Sequence, residues 1–411
     1  MKILICHKFH FIQGGAERYV FDLCGGLQAL GHDIIHFSSQ DNRNFESRWS
    51  EYFVRNVDYD KLLKESIIPA IKNACSLAYS FEAKRKIEYL IDNYKPQVAH
   101  IHNIYHQISP SILHSFRKKR IPVVMTLHDY KLICPSYNLF CKGFLCDKCK
   151  GGNYYYAVLN KCLKDSRLAS LLGCIEMYFH KFLDIYKNVD LFIAPSRFIQ
   201  DKMVDFGIEQ EKVLFTPHAI NLNGFIQNFN PGKYILYLGR LYPEKGVKTL
   251  LKSLRYLPHI PAKILGDGPQ RLELESFAQR EGIRNIEFLG YRPKEELRGF
   301  ISNSLCVVVP SEWYEVSGLS IYEAFASGKC VIGSRIGGIP ELIDNNNNGL
   351  LFEPGNYREL AEKIGYLLGH PQKAREWGKN AFEKINRLND TTLHYHRIID
   401  IYNKAIATIH N

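Results

Sequence analysis

Two glutamates, Glu315 and Glu323, lie E-x7-E apart in the segment that begins Ser311-Glu312-Trp313-Tyr314-Glu315-Val316-Ser317-Gly318-Leu319. The first falls in a loop just past the apolar run Leu305-Cys306-Val307-Val308-Val309, which reads as a buried parallel strand. The second lies about two turns into a helix that opens near Ser317, Gly318 and Leu319. Carboxylates so placed can grip a polyhydroxylated ligand at two points. The backbone N–H groups of the helix start, with the positive end of its dipole, would face an anion. A solvated acidic loop followed by one exposed helical glutamate has the same spacing, so neighbouring residues must decide.

Several other groups end strands in the same way. Gly239-Arg240-Leu241-Tyr242-Pro243-Glu244-Lys245-Gly246 follows the strand pattern Tyr234–Leu238 and precedes a helix. Two cations fixed on such a loop can hold a diphosphate, Arg240 as a planar fork and Lys245 as a point charge. Near the start, Gly14-Gly15-Ala16-Glu17 joins the first strand to the first helix, where glycine lets backbone approach a ligand. It is equally a tight turn, and it is not a GxGxxG fingerprint. Gly266-Asp267-Gly268-Pro269 is a similar turn. His128-Asp129 follows Val123–Leu127, and His102-Asn103 ends the strand before it.

The elements that must position these groups alternate. Strand patterns are Ile3–Cys6, Ile34–Ser38, Val98–Ile101, Val123–Leu127, Leu191–Pro195 and Val213–Thr216. A second series follows at Tyr234–Leu238, Ala262–Leu265, Ile286–Leu289, Leu305–Val309, Cys330–Gly333 and Gly349–Phe352. Amphipathic stretches between them include Ala16–Leu30, Ser80–Asp92, Leu168–Tyr186, Gly246–Tyr256 and Tyr357–Gly369. Strands alternating with helices predict an α/β fold of doubly wound parallel sheets, with ligands at the carboxyl ends of strands. At 411 residues the chain is long enough for two domains of roughly 200 residues each. The expected boundaries are 1–217, 218–390 and a C-terminal helix 391–411 packed back on the first domain.

Composition is that of a globular protein, 46% hydrophobic and 23% charged, with no apolar run of the ~18–20 residues that span a bilayer. The opening Met1–His7 reads as a buried strand rather than a signal peptide, and the chain is expected in the cytoplasm. Residues 1–190 hold 26 Lys+Arg against 18 Asp+Glu, a net of +8 out of +11 for the whole chain. No helix-turn-helix or RNA-recognition pattern accompanies this charge, so nucleic acid is not the expected partner. An anionic membrane surface or a phosphate-bearing substrate fits better, with Arg117-Lys118-Lys119-Arg120 and the mixed basic and apolar stretch Lys64–Leu90 as candidate contacts.

Together, Gly14-Gly15-Ala16-Glu17, His128-Asp129-Tyr130, the Gly239–Gly246 loop, Gly266-Asp267-Gly268-Pro269, the Glu315/Glu323 pair and Gly337-Gly338-Ile339-Pro340-Glu341 resemble retaining glycosyltransferase family 4. The resemblance implies the GT-B architecture, two Rossmann-like domains facing across a cleft. It implies a nucleotide diphosphate sugar donor, UDP- or GDP-linked, bound by the second domain, and an acceptor bound by the first. Arg240 and Lys245 would neutralise the leaving diphosphate, Glu323 would hold the ribose and Glu315 the donor sugar's hydroxyls. Gly290-Tyr291-Arg292 falls where the family contacts the base; Gly15 would meet the donor through its backbone and His128 would lie by the reacting centre. The helix mouth Ser317-Gly318-Leu319 would face phosphate. The family's first glutamate is often followed by Pro-Phe-Gly, and here by Val316-Ser317-Gly318, which leaves donor-sugar preference open.

With two cations and a helix terminus to stabilise the leaving group, no metal is required for catalysis. Asp58-Tyr59-Asp60 has a metal-binding spacing but no strand–helix context. Eleven cysteines in a cytoplasmic chain argue against a disulfide framework. Cys146-x2-Cys149 has zinc-knuckle spacing, which Cys134, Cys141 and Cys162 could complete within the Cys-rich insertion 134–162; a loop of reduced thiols is the alternative. The expected function is therefore transfer of a sugar to a glycan or polyprenyl-linked acceptor in surface polysaccharide synthesis, at the inner face of the membrane. A nucleotide-sugar epimerase of the same fold, or a catalytically silent donor-binding protein, are the alternatives.

Overall fold

A computed structural model describes residues 1–56 and 78–410. Asp58, Asp60 and Cys75, and most of the Lys64–Leu90 stretch, lie outside the described residues. The chain divides into two compact units. The first comprises Met1–Leu139, Cys146–Ile220 and Thr391–Asn411; the second comprises Phe140–Leu145 and Asn221–Asp390.

The first unit is built on a parallel sheet of β1 (Lys2–Cys6), β2 (Asp33–Phe37), β3 (Val98–Ile101), β4 (Val123–Thr126), β5 (Leu191–Ala194) and β6 (Val213–Phe215). Their order is β2-β1-β3-β4-β5-β6. β3, β4 and β5 are buried at every position. Helices on both faces explain why these strands read as unbroken apolar runs rather than alternating ones. α1 (Gly15–Ala29) buries Tyr19, Val20, Leu23, Cys24 and Leu27 at helical spacing. α2 (Phe81–Tyr94), α4 (Arg167–Phe182) and α5 (Arg197–Asp205) each start on a serine, Ser80, Ser166 and Ser196, whose side chain accepts a first-turn N–H. α3 (Ile112–Lys118) links β3 to β4.

The second unit repeats the plan with β7 (Ile235–Leu238), β8 (Ala262–Leu265), β9 (Ile286–Gly290), β10 (Cys306–Val309), β11 (Val331–Ser334) and β12 (Gly349–Phe352), in the order β9-β8-β7-β10-β11-β12. Its longer helices are α6 (Val247–Leu254), α7 (Arg271–Arg280), α8 (Lys294–Ser302), α9 (Leu319–Ala326), α10 (Tyr357–Gly369) and α11 (Pro371–Leu388). All twelve strand patterns read from the sequence are strands of these two sheets.

α12 (Thr391–His410) belongs to the first unit. There Tyr395 Oη donates to the Asp22 carbonyl (3.2 Å) and Tyr402 Oη lies 2.7 Å from His100 Nδ1. Among the described residues, no helix is long and apolar enough to cross a membrane.

The cysteine-rich stretch forms a short antiparallel hairpin, Phe140–Cys141 with Phe144–Leu145. Among the described residues no three His, Cys, Asp or Glu side chains converge as metal ligands. The zinc site expected from Cys134, Cys146, Cys149 and Cys162 is therefore not found there. Cys149 is instead packed into a small core cluster with Tyr154, Cys174 and Met177. Cys134 is buried with its Sγ 3.3 Å from Ser136 Oγ, while Cys146 and Cys162 are half-buried.

Trp377 of α11 is the largest side chain in the second unit's core, where Leu250, Val308, Ile332 and Leu360 join it in one apolar cluster. Trp377→Ala is expected to destabilise this unit by about 3–5 kcal/mol, lowering its urea midpoint while the first unit's transition stays in place.

Candidate active site

In the second unit, three strand-to-helix turns interlock at the carboxyl edge of the sheet. Tyr237 Oη donates to the Arg240 carbonyl (2.8 Å), and the Leu241 N–H donates to the Asp267 carbonyl (2.9 Å). The Gly266 N–H reaches the Gly290 carbonyl (2.8 Å). The loop after β7 ends at Gly246, whose φ is +67°; a Cβ there would overlap the Pro310 carbonyl oxygen. Only glycine lets this loop close onto the end of β10.

That closure brings Lys245 to Glu315. Lys245 Nζ lies 2.8 Å and 3.1 Å from the two carboxylate oxygens, with only 16% and 12% of the two side chains exposed. Ser311 Oγ (3.0 Å) and Trp313 Nε1 (2.9 Å) also donate to Glu315 Oε2. The Trp313 ring lies beneath the ammonium, 4.9 Å from Nζ to the centroid. From the other side Gly338 N–H donates to the Glu315 carbonyl (2.7 Å), and Gly337, at φ +58°, packs so tightly on the Glu315 backbone that a Cβ would overlap it. Burial raises the affinity of Glu315 for a proton, but the Lys245 charge and the hydrogen bonds from Lys245, Trp313 and Ser311 outweigh it. The carboxyl therefore stays ionised below the ordinary glutamate range.

α9 begins at Gly318 with no side chain capping it, and Glu323 is buried on that helix. Arg240 is exposed and stacks on Tyr242, 4.8 Å from the ring centroid. Arg292, past Gly290, is held by the Leu289 carbonyl (3.1 Å) and Glu296 (3.3 Å). Arg240, Lys245, Glu315, Ser317, Gly318, Leu319, Glu323, Gly290 and Arg292 thus all belong to strand ends, turns or the helix at one edge of one sheet.

His128 and Gly15 belong to the first unit. His128 Nε2 lies 2.9 Å from His102 Nδ1 in a cluster of imidazoles at the ends of β1, β3 and β4. His218 stacks on Tyr19 at 3.9 Å, and Tyr19 Oη lies 3.0 Å from His394 Nε2. His100 Nε2 lies 2.7 Å from Thr126 Oγ1. Burial holds these rings neutral: it pushes His7 and His100 down to about 3 and His394 to about 4, and puts His102 and His218 well below the ordinary range. The loop after His128 is anchored from beneath. Lys131 N–H donates to Asp129 Oδ1 (2.9 Å), and the fully buried Lys131 ammonium meets Glu176 of α4 at 2.7 Å.

Sequence reasoning missed Ser311 and Trp313, which flank Glu315 at i−4 and i−2 and could have been found by asking what neutralises a buried loop carboxylate. It also missed the Lys131–Glu176 pair. Two residues 45 positions apart leave no local signal.

Residues 13–223 match the family model described as Glycosyltransferase Family 4, and residues 223–384 match Glycosyl transferases group 1. An uncharacterized glycosyltransferase of Methanocaldococcus jannaschii is 24% identical over 387 residues, 93% of each chain. A D-rhamnosyltransferase of Pseudomonas aeruginosa is 29% identical over 189 residues, covering 46% of this chain and 49% of the relative. Among solved structures, Anabaena HepE, crystallised with UDP and glucose, superposes with a TM-score of 0.70 at 19% identity, covering 98% of this chain and 100% of that one.

Removing Lys245 as Lys245→Met leaves the Glu315 carboxylate nearly buried without its cation, and should cost about 3 kcal/mol in urea unfolding of the second unit. Lys245→Met with Glu315→Gln should recover most of that loss. Acidification tests the imidazole cluster. Native pKa values below the unfolded ~6.5 mean that stability is present above that pH and lost as pH falls toward the folded values. Each such ring removes up to about 1.4 kcal/mol per pH unit, so chemical unfolding repeated between pH 7 and 5 should show stability falling steeply. A flat profile would contradict the neutral cluster.

Proposed function

The chain belongs to Glycosyltransferase Family 4, with the two parallel-sheet units of the GT-B fold, and on that premise we propose that it is a retaining hexosyltransferase using a nucleotide diphosphate sugar. The observation that carries this reading is the Lys245–Glu315 pair set beside the uncapped start of α9. In this proposal Glu315 serves twice, holding the Lys245 ammonium and accepting hydrogen bonds from the donor sugar's hydroxyls. Lys245 and Arg240 neutralise the diphosphate, with the backbone of Ser317, Gly318 and Leu319 completing its cradle. Glu323 holds the ribose, and Gly290 and Arg292 border the base. His128 and Gly15 act at the reacting centre and the donor's approach.

The bond from the anomeric carbon to the diphosphate oxygen breaks as a bond to an acceptor hydroxyl forms on the same face. The leaving phosphate takes the hydroxyl proton, so no protein nucleophile or metal enters the step. HepE, crystallised with UDP and glucose, supports a uridine nucleotide as the first donor to try. The D-rhamnosyltransferase relative supports glycosyl transfer rather than epimerisation. A glycan or polyprenyl-linked acceptor of a surface polysaccharide places the chain at the cytoplasmic face of a membrane.

A thermal-shift screen with UDP- and GDP-sugars should reveal a donor that stabilises the protein by ~2.7 kcal/mol at about a hundred times its Kd. Glu323→Ala should abolish that shift for every donor sharing the ribose, while Lys245→Ala lowers kcat by roughly 10²–10³. Turnover of donor to an epimer without any acceptor, or a trapped covalent glycosyl-enzyme, would sink the proposal.

A further inference from the structure

Among the described residues, the outer face of α4 is apolar and uncovered. Leu168, Leu171, Ile175, Tyr178, Phe179 and Phe182 are 38–85% exposed. At about 100° per residue they fall in an arc roughly 100° wide, opposite the buried Gly173 and Met177. The stripe continues beyond the helix. Leu159, 66% exposed, is carried by the short helix Tyr156–Asn160 packed against α4. On the other flank Phe179 meets Tyr79 at 6.3 Å, and Tyr79 meets the exposed Phe81 at 5.3 Å. Scattered surface apolar residues are ordinary, but a contiguous stripe over four turns marks an interaction surface.

Charge selects the partner. The only exposed charged residues of α4 are the cations Arg167 and Lys181; its single carboxylate, Glu176, is buried against Lys131. Just before the helix the exposed Lys164 is followed by the exposed Asp165, so Arg167 and Lys181 carry the positive edge. The more conspicuous basic run, Arg117–Arg120, is a poorer candidate. Lys118 pairs with Glu88 (3.3 Å) and Lys119 with Asp92 (2.6 Å), so half its charge is already matched by α2.

We propose that the outer face of α4 is the surface by which this chain docks on an anionic lipid bilayer. Aromatic and aliphatic side chains enter the headgroup boundary, while Arg167 and Lys181 meet lipid phosphates at its edge. The inner face of the same helix anchors the loop carrying His128 and Asp129 through Glu176 and Lys131, so a docked bilayer lies about one helix diameter, ~10 Å, from that loop. This deepens the reading of a membrane-borne acceptor by identifying which surface faces the lipid.

Flotation of the full-length protein with vesicles of phosphatidylcholine plus phosphatidylglycerol, against phosphatidylcholine alone, tests it. Wild type should float only with the anionic vesicles. Leu171→Asp with Ile175→Asp should weaken this by about tenfold or more, and Arg167→Gln or Lys181→Gln by about fivefold each. Lys118→Gln with Lys119→Gln should leave it within about twofold. Trp49, Trp313 and Trp377 are buried, so in Phe182→Trp, which keeps the face apolar, the new indole should shift to the blue on adding anionic vesicles. No flotation of wild type, unchanged flotation of the aspartate variant, or an unmoved Phe182→Trp emission would overturn the assignment. So would loss of a dimer in the aspartate variant with flotation intact, which would make α4 a self-association face. These readouts need no donor, so a chain that binds vesicles yet transfers no sugar would refute the transferase reading alone.

Discussion

In a parallel sheet every strand points the same way, so every strand-to-helix turn emerges along one edge. Each unit of this protein obeys that constraint, and each candidate residue depends on it. Lys245 follows β7, Gly290 ends β9 and Glu315 follows β10; Gly15 follows β1 and His128 follows β4. Residues far apart in the chain become neighbours because their strands are neighbours in the sheet, as β7 and β10 are. Backbone bonds between turns, such as Leu241 to Asp267 and Gly266 to Gly290, then lock the edge into one shape.

The two units handle buried polar groups differently. In the second, Glu315 keeps its charge because a cation and two further donors surround it, and Gly246 and Gly337 allow the backbone to bring them that close. In the first, burial discharges the imidazoles, which then act as neutral hydrogen-bonding groups among Tyr19, Thr126 and Tyr402. The exception is Lys131 with Glu176, an ion pair placed under the His128 loop. Removing either member would strand the other's charge in the interior, so the pair ties α4 to the loop through one specific contact. An exposed apolar face on α4 therefore sits on an element already committed to holding that loop.

Legibility followed physical cause. The central strands read clearly because burial on both faces demands unbroken runs such as Val123-Val124-Met125-Thr126, whereas the edge strand β9, with Glu287 exposed, is only partly buried. α11 was not, because its 18 residues are mostly polar and only Ala374, Trp377, Gly378, Ala381 and Ile385 are buried. The spacing of Cys146 and Cys149 suggested a zinc knuckle, yet spacing says nothing about where a sulfur's neighbours lie. Cys149 is surrounded by Tyr154, Cys174 and Met177, the last two brought by α4 from a separate stretch of chain.

By itself the sequence determined the two-sheet α/β plan and the residues at the strand ends, since hydrophobic period and turn chemistry are local properties. It also determined that Glu315 and Glu323 stand on opposite sides of a helix start. Only tertiary structure decided that Glu315 is held by Lys245, Ser311 and Trp313, that Lys131 is buried on Glu176, and that one face of α4 is left uncovered by the described residues. Those outcomes depend on which surfaces meet after folding, and a one-dimensional pattern carries no record of what packs against a helix's other side.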